Sequence, residues 1–356
     1  MSRALRLVEK ISKLAEGKKK LRIMEVCGTH TAAIFKNGIR DLISPKIKLI
    51  SGPGCPVCVT PTAFIDKCVE YAKAPNCELL TFGDMMKVPG TAGSLSENKA
   101  AGEDGAKANI TIMYSPLEAI EKAKANPEIT YAVAAVGFET TAPTYALLVK
   151  EAARQGIENI RLVTALKTAI PALKWICENQ NDIDGFICPG HVSVITGVHV
   201  YDQLASDYHK PFVVSGFEAE HILAAIYRIV KQIEAGEGHV ENMYPNAVKE
   251  DGNPKALQAI EEVFAPGAAV WRGLGRIEGS GLYLKDEYEV FDGGSRGLDE
   301  DMELPEGCRC GDVITGRINP DQCPMFAGGS CTPMAPFGPC MVSSEGSCGI
   351  WYRNKH

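Results

Sequence analysis

Short apolar runs alternate with stretches of helical periodicity along most of the chain. The apolar runs are four to six residues long, as expected for buried strands. Between them apolar residues recur every three or four positions, as expected for helices. The predicted strands cover residues 21–26, 47–50, 78–82, 109–113, 131–136, 160–164, 184–188 and 212–215. The predicted helices cover residues 4–16, 31–39, 61–73, 116–125, 143–154, 169–179 and 219–235.

Alternation of strands and helices on this scale predicts an α/β fold with largely parallel sheets. We predict an N-terminal helix within residues 1–20, followed by two Rossmann-like α/β units over residues 21–114 and 115–265. After residue 265 the pattern gives way to glycine-rich turns and short strands. Residues 266–356 are therefore predicted to form a separate domain. The cysteines of this segment predict that it is an iron–sulfur domain.

Six cysteines crowd this C-terminal segment, and it contains no Cys-x2-Cys pair of the kind that zinc ribbons use. A segment so rich in Gly and Pro buries little apolar surface, so a covalent or metal crosslink must order it. Four thiolates with a leftover pair suit an iron–sulfur cluster beside a redox-active dithiol, and structural zinc is the alternative. The six residues are Cys308, Cys310, Cys323, Cys331, Cys340 and Cys348.

A Cys-x-x-Cys motif, formed by Cys55 and Cys58, follows a predicted strand and precedes a predicted helix. In thioredoxin-type sites the helix N-terminus stabilises a thiolate, and the close spacing lets a disulfide form and break. The same spacing can chelate a metal, and the structural alternative is a pair of small buried side chains. The preceding Gly52-Pro53-Gly54 requires a tight turn, which favours the functional interpretation.

Other strand ends carry polar side chains suited to a site. Cys27 and His30 follow the first strand, and thiolate with imidazole is a good ligand set for iron, zinc or copper. Alone, such a pair would more often be structural. Glu139 and His191 follow two later strands and are candidates for a polar wall opposite the thiols. Because parallel sheets place ligand sites at the carboxyl ends of their strands, we expect these groups to meet in one cleft.

Composition narrows the classes of function. The chain has 356 residues and a formal net charge of -7, which does not suggest a nucleic-acid partner. No apolar run approaches the ~20 residues of a membrane span, and the first residues lack an apolar signal core, so we expect a cytoplasmic protein. Thirteen cysteines in such a protein more often serve metal binding or redox chemistry than structural disulfides.

Together these motifs resemble the family of the hydrogenase maturation protein HypD, over essentially the whole chain. The resemblance rests on the strand-end motifs described above and on the cysteine-rich tail. The matching segments are Met24-Glu-Val-Cys-Gly-Thr-His30, Gly52-Pro-Gly-Cys-Pro-Val-Cys58, Gly137-Phe-Glu-Thr-Thr-Ala-Pro143, Pro189-Gly-His-Val-Ser193, Ser215-Gly-Phe-Glu218 and Cys340-Met-Val-Ser-Ser-Glu-Gly-Ser-Cys348.

The resemblance implies a small HypC-type chaperone and a HypE-type cyanide donor as partners, and a nickel–iron hydrogenase large subunit as an indirect one. With the chaperone, the protein would carry the iron atom on which the Fe(CN)2CO moiety is assembled. Cys27 would bind this iron with His30 beside it. Cys55 and Cys58 would be a redox or iron-proximal dithiol, and the tail would hold a [4Fe–4S] cluster.

The tail is also similar to that of ferredoxin–thioredoxin reductase, in which the first Cys of a Cys-x-Cys pair binds the cluster and the second belongs to a disulfide. That likeness implies that Cys310 pairs with Cys340. Residues i and i+2 of an extended segment point to opposite sides, which agrees with separating Cys308 from Cys310. The cluster ligands that the likeness implies are Cys308, Cys323, Cys331 and Cys348.

We therefore expect electrons to pass from the tail cluster to Cys310 and Cys340 and then to the Cys-x-x-Cys pair, while Cys27 holds low-valent iron. Glu139 and His191 would hydrogen-bond the cyanide ligands or relay protons. Two other classes stay open. A general thiol–disulfide reductase would use the same cysteine pairs without Cys27, and a scaffold with structural zinc would carry no iron.

Overall fold

The computed structural model describes residues 3–17, 19–101, 108–301, 304 and 306–354 of the chain. All the predicted strands and helices are present, with ends displaced by no more than three residues. The strands are β1 (Leu21–Glu25), β2 (Ile47–Ser51), β3 (Cys77–Thr81), β4 (Ile110–Ile112), β5 (Thr130–Gly137), β6 (Ile160–Leu166), β7 (Gly185–Pro189), β8 (Phe212–Ser215), β9 (Val240–Asn242), β10 (Phe264–Trp271) and β11 (Gly275–Leu284).

The α-helices vary from single turns to a helix of 17 residues. They are α1 (Arg3–Ala15), α2 (Gly28–Lys36), α3 (Ile39–Leu42), α4 (Thr62–Lys73), α5 (Leu95–Ala100), α6 (Glu118–Ala125), α7 (Ala142–Arg154), α8 (Ala169–Asn179), α9 (Gly190–Thr196), α10 (Asp202–Tyr208), α11 (Ala219–Ala235), α12 (Pro254–Val263), α13 (Cys310–Ile314), α14 (Pro324–Ala327), α15 (Pro339–Val342) and α16 (Ser347–Asn354). Within the described ranges, no helix is long and apolar enough to cross a membrane.

Two parallel sheets form the body of the protein. Sheet A has the strand order β2-β1-β7-β8-β9, and sheet B has the order β4-β3-β5-β6. Every strand pair within them is parallel. Strands β10 and β11 form a separate antiparallel hairpin. The predicted α/β class with parallel sheets is therefore confirmed.

The sheets do not follow the division at residue 115. Sheet A takes β1 and β2 from before that point and β7, β8 and β9 from after it. The chain leaves sheet A after β2, builds sheet B, and returns at β7, which lies beside β1 with Ile23 opposite Gly185. Periodicity along a sequence predicts strands but not their partners, because any two apolar parallel strands can pair.

Helices bury the outer faces of both sheets, and the largest core lies between the sheets. Helices α1 and α11 cover sheet A, where Ile226 is fully buried, and α7 and α12 cover sheet B, where Leu148 is fully buried. The core between the sheets includes Phe186 and Trp271 and extends to the tail cysteine Cys340. The tail therefore shares a core with the two sheets.

The cysteine-rich tail folds into the short helices α13 to α16, which contain four to eight residues each. Its last helix packs on α2, where the rings of Trp351 and Phe35 meet edge to face with centroids 5.0 Å apart. The guanidinium of Arg40 lies 5.6 Å from the Trp351 ring and 5.1 Å from the Phe35 ring. This cation–π contact attaches the end of the tail to sheet A.

Glu25, at the end of β1, is fully buried and paired with the same arginine. The Arg40 guanidinium lies 2.6 Å from Glu25 Oε1, and the hydroxyl of Ser51 donates to that oxygen at 3.2 Å. Burial raises the pKa of Glu25, and the charge of Arg40 acts in the opposite direction. Arg40 therefore links the strand that leads to Cys27, through this ion pair, with the docked tail, through the cation–π contact to Trp351.

We expect Arg40→Met to lower the free energy of unfolding by about 3 kcal/mol, because a buried carboxylate loses its charged partner. Urea denaturation followed by circular dichroism measures this change. Arg154→Met is the matched control, since Arg154 pairs with Glu151 on the surface and such pairs contribute less than ~1 kcal/mol. Equal losses in the two variants would contradict the structural role of the buried pair.

Candidate functional site

The carboxyl ends of the two sheets face each other across a cleft. Sheet A contributes the segments after β1, β2 and β7, and sheet B contributes the segments after β5 and β6. The lining includes Cys27, Gly54, Phe138, His191 and Trp271. Three of these residues also line an adjoining cavity of about 390 Å³. The strand-end thiol, the Cys-x-x-Cys loop and one of the candidate histidines thus lie in one cleft.

Backbone contact between the loop and Cys27 explains the glycine before Cys55. A Cβ on Gly54 would lie 2.2 Å from the carbonyl oxygen of Val26 and 2.7 Å from the Cα of Cys27. Side chains essentially never approach backbone so closely, so this position requires glycine. The tight turn predicted from Gly-Pro-Gly therefore brings the Cys-x-x-Cys loop directly against Cys27.

The Cys27 thiol caps the N-terminus of α2. Its Sγ accepts a hydrogen bond from the backbone N–H of Thr29 at 3.3 Å, so the helix begins at Gly28 and not at the predicted residue 31. Burial, and then the charge of Glu345, raise the pKa of Cys27 to about 11. The thiol is therefore protonated near neutral pH, and a metal ion at the sulfur must displace this proton.

The tail reaches over Cys27 and contributes an acid that sequence reasoning missed. Glu345 accepts a hydrogen bond from the hydroxyl of Thr29 at 3.3 Å, and burial raises the pKa of its carboxyl. A Cβ on Gly28 would lie 2.1 Å from the Glu345 carbonyl oxygen. Glu345 and Asp84 line the 390 Å³ cavity. The only sequence signal was the position of this glutamate within the last cysteine spacing of the tail.

The two candidate histidines occupy different positions. His191 is half-buried and lines the cleft with Cys27, and burial lowers its pKa. His30 is fully buried, and its Nε2 lies 3.1 Å from the carbonyl oxygen of Gly216 at the end of β8. Burial lowers the pKa of His30 to about 4. Phe217 lies against both rings, 4.6 Å from His30 and 5.3 Å from His191, so His30 supports the cleft from behind.

Glu139, after β5, is only 6% exposed. Its Oε1 accepts a hydrogen bond from the backbone N–H of Ala169 at 2.7 Å, whereas Oε2 has no hydrogen-bond partner among the described residues. Burial raises the pKa of Glu139 to about 7. A carboxyl with this pKa, next to the lining residues Phe138 and Ala169, can exchange a proton near neutral pH.

The loop cysteines border the tail. Cys55 and Cys58 form a disulfide, and both line a small cavity together with Cys340. The Cys58 sulfur lies 3.9 Å from the carbonyl oxygen of Pro339. The two predicted redox pairs are therefore neighbours, although 281 positions separate Cys58 from Pro339 in the chain.

The six tail thiols form one array, and all of them except the partly buried Cys308 are buried. Cys310 and Cys340 are free thiols joined by a hydrogen bond, and that bond and burial hold the pKa of Cys310 well above its usual range. Cys340 also hydrogen-bonds Cys348. Burial, followed by the charges of neighbouring thiols, raises the pKa of Cys308 to about 12, and Cys323 and Cys331 are among these neighbours. A disulfide between Cys310 and Cys340 stays a prediction.

The chemistry of this array fits an iron–sulfur cluster. The sulfurs of Cys323 and Cys331 each accept a backbone N–H at 3.5 Å, and such donors favour thiolate ligands. Across the part of the chain that the structure describes, no three His, Cys, Asp or Glu side chains are arranged to hold a single metal ion. Cysteine thiolates with backbone N–H donors are the ligand type that iron–sulfur clusters use, and the cluster stays a prediction.

The chain matches hydrogenase maturation proteins over nearly its whole length. The family model HypD, described as "Hydrogenase formation hypA family", matches residues 2–355. The hydrogenase maturation factor HypD of Escherichia coli K12 is 44% identical over 337 residues, which cover 94% of this chain and 89% of that protein. The HypD factor of Rhodobacter capsulatus is 43% identical over 356 residues, 98% and 92% of the two chains. A putative hydrogenase expression/formation protein of Methanocaldococcus jannaschii is 40% identical over 351 residues, 97% and 95%.

The chain belongs to the HypD family. It is a hydrogenase maturation factor, and the resemblance drawn from its motifs is confirmed. In this HypD-family protein two aromatic residues of the cleft were not predicted. Phe138 and Trp271 stack with ring centroids 5.7 Å apart, and the Trp271 indole N–H donates to the hydroxyl of Ser280 at 2.8 Å. Trp271 lies in the β10–β11 hairpin, in a segment for which the sequence indicated glycine-rich turns and short strands without assigning them to the site.

We expect Glu345→Gln to increase the alkylation rate of Cys27 roughly threefold at pH 8.5, because loss of a negative charge lowers the pKa of the thiol by about half a unit. Iodoacetamide labelling of the metal-free HypD-family protein, followed by peptide mass spectrometry, measures this rate. The exposed Glu261 provides the control Glu261→Gln, which should leave it unchanged. An unchanged or slower rate in Glu345→Gln would refute the electrostatic coupling.

We expect Glu139→Gln to remove part of the pH dependence of stability. In the folded protein Glu139 has a pKa of about 7, above its ordinary value of 4.5. Between these two pH values the unfolded chain releases the proton while the folded protein keeps it, so the wild type loses stability as pH rises. The variant should gain up to about 3 kcal/mol relative to wild type over this interval, since one pKa unit corresponds to ~1.4 kcal/mol. Urea unfolding at pH 5 and 7.5 tests this, with the exposed Glu158→Gln as control. Parallel pH profiles for wild type and Glu139→Gln would contradict it.

Proposed function

We propose that this HypD-family protein is the scaffold on which the Fe(CN)2CO moiety of a nickel–iron hydrogenase is assembled. The observation that carries the proposal is that the Cys-x-x-Cys loop packs against Cys27 on one side and shares a small cavity with the tail cysteine Cys340 on the other. The iron atom and its diatomic ligands are cargo, received and passed on. A HypC-type chaperone and a HypE-type cyanide donor are the proposed partners, and the adjoining 390 Å³ cavity is the proposed route by which the small ligands of the iron reach the cleft.

Cys27 is the proposed protein ligand of the iron. Its sulfur already accepts N–H donors at the helix N-terminus, which stabilise a thiolate once the proton leaves. A thiolate donates charge to a metal that carries strong π-acceptor ligands, and soft ligands suit such iron. Glu345, which hydrogen-bonds Thr29 beside Cys27 and whose pKa is raised by burial, is the proposed acceptor of the Cys27 proton.

Cys55 and Cys58 are proposed to control the electron supply to the cargo. In the structure the loop pair is oxidised and the adjacent tail pair, Cys310 and Cys340, is reduced. Exchange converts the tail dithiol to a disulfide and the loop disulfide to a dithiol, with two electrons and two protons transferred. The reduced loop then presents thiols beside Cys27, where they can bind or reduce iron.

The tail is proposed to hold a [4Fe–4S] cluster, for which Cys308, Cys323, Cys331 and Cys348 are the proposed ligands. When bound, such a cluster supplies single electrons. The protein surrounds the thiols with apolar side chains and backbone N–H donors, which tune a cluster and exclude water from it.

Glu139 and His191 are proposed to act on the diatomic ligands of the iron, by hydrogen bonding and by exchanging protons. His191 lines the cleft with Cys27, and in its neutral form one ring N–H can donate to a cyanide nitrogen. Glu139 carries a buried carboxyl oxygen without a partner among the described residues and can supply or accept a proton near pH 7. His30 is proposed to support the site from behind, since its fully buried ring packs on Phe217 and does not itself line the cleft.

Iron and acid-labile sulfide in protein purified without oxygen test the proposal. We expect about four of each from the tail cluster, with a brown chromophore, and additional iron without matching sulfide from the cargo site. Cys27→Ala should lose the additional iron and hydrogenase maturation but keep the cluster iron. The control Cys68→Ala changes a fully buried cysteine of α4, outside the cleft lining, and should keep both.

Other outcomes would favour the competing functions. Zinc without sulfide would remove the electron-transfer part of the proposal and leave a structural scaffold. Full maturation by Cys27→Ala, together with rapid reduction of insulin by the purified protein, would indicate a general thiol–disulfide reductase. The neighbouring cysteine pairs are the observation that keeps this second function in view.

A further inference from the structure

The tip of the β10–β11 hairpin touches the segments of both dithiols. Arg272 donates its backbone N–H to the carbonyl oxygen of Val59 at 2.9 Å, directly after the Cys-x-x-Cys loop. Gly273, with φ of +83°, lies so close to the residue after Cys310 that a Cβ on it would be 2.6 Å from the Cα of Gly311. One turn of the hairpin is thus in backbone contact with the loop on one side and with the tail on the other.

The Arg272 side chain also contacts the start of the helix that follows the Cys-x-x-Cys loop. It is 2% exposed, its Nε lies 2.9 Å from Asp301 Oδ1, and its Nη2 hydrogen-bonds the hydroxyl of Thr62. Asp301 accepts the backbone N–H of Thr62 at 3.2 Å, at the start of the helix that follows the Cys-x-x-Cys loop. Nη1 has no hydrogen-bond partner within the described ranges. A buried guanidinium therefore connects the hairpin, the acid and the helix.

We propose that Arg272 is a positioning residue for thiol–disulfide exchange between the Cys55–Cys58 pair and the Cys310–Cys340 pair. The inference rests on the proposed function and names the element that keeps the two pairs in reach.

The exchange balances within the protein. The Cys340 sulfur, as thiolate, attacks the Cys58 sulfur, which breaks the bond to Cys55 and forms a mixed disulfide between Cys340 and Cys58. Cys310 then attacks Cys340 and releases Cys58. The tail pair is oxidised by two electrons, the loop pair is reduced by two, and the two protons of the tail thiols end on the loop thiols. No other oxidant or reductant takes part.

A trapped form of the mixed disulfide tests the inference. Cys55→Ser with Cys310→Ser leaves Cys58 and Cys340 without their resolving partners. The full-length chain is purified without oxygen, with its bound metal, and treated with oxidised glutathione. Peptide mass spectrometry then follows formation of the Cys58–Cys340 crosslink. Adding Arg272→Met should slow crosslinking about tenfold or more, because small displacements of reacting groups have large effects on rate.

The conservative variant and a neighbouring arginine provide the controls. Arg272→Lys should restore part of the rate, since it keeps the charge. Arg276→Met should crosslink like the parent, because Arg276 lies on the same hairpin but pairs on the surface with Asp299 at 2.9 Å. Asp301→Asn removes the ion pair with little change of shape, and it should slow crosslinking even if Arg272→Met does not fold.

Two results would overturn the inference, and they differ. If the parent crosslinks and a folded Arg272→Met variant with an unchanged melting temperature crosslinks equally fast, Arg272 does not position the pairs, while the proposed function stands. If the parent itself never forms the Cys58–Cys340 crosslink, the exchange step of the proposed function fails and this inference fails with it.

Discussion

Backbone contact around Cys27 is the constraint on which the rest of the site depends. At Gly54 the space for a side chain is taken by the carbonyl of Val26, and at Gly28 it is taken by the carbonyl of Glu345. Sheet A, the Cys-x-x-Cys loop and the tail therefore meet main chain to main chain. Contacts of this kind leave no room for a rotamer to adjust, because protein interiors are close-packed. The burial of the thiol and the closeness of the loop cysteines to the tail both follow from this arrangement.

Burial also sets the protonation of the cleft. It raises the pKa of Cys27, Glu139 and Glu345 and lowers that of His30 and His191. Each of these groups is thereby shifted toward its neutral form, whichever charge it can carry. A cation that entered the cleft would reverse the shifts of the thiol and the carboxyls, because it favours their anions. The empty cleft and the loaded one would then differ in charge as well as in contents.

Local sequence signals were sufficient for eight strands, seven helices and part of the site, but they missed β9, α12 and the short helices. Period and turn chemistry predicted those eight strands, those seven helices and the tight turn before Cys55. They could not show that β7 returns beside β1, because a strand's pattern does not identify its partner. They also could not show that His30 turns toward Gly216, because helix α2 begins three residues earlier than its apolar pattern indicated. Glu345 contacts Thr29 across 316 positions of sequence, and Arg272 contacts Thr62 across 210. No periodicity carries information over such separations.

The division of sheet A along the chain has a consequence for biosynthesis. The strands of sheet B are consecutive in the chain and can pair as soon as β6 is complete, whereas β1 must remain without β7 for about 160 residues, or roughly 10 to 30 s of translation. Pairing across so long a separation is intrinsically slow. Glu345 and the last tail cysteine are made later still. The wall around Cys27 therefore closes only after the tail has been synthesised, so the protein must finish most of its own folding before the cleft is closed.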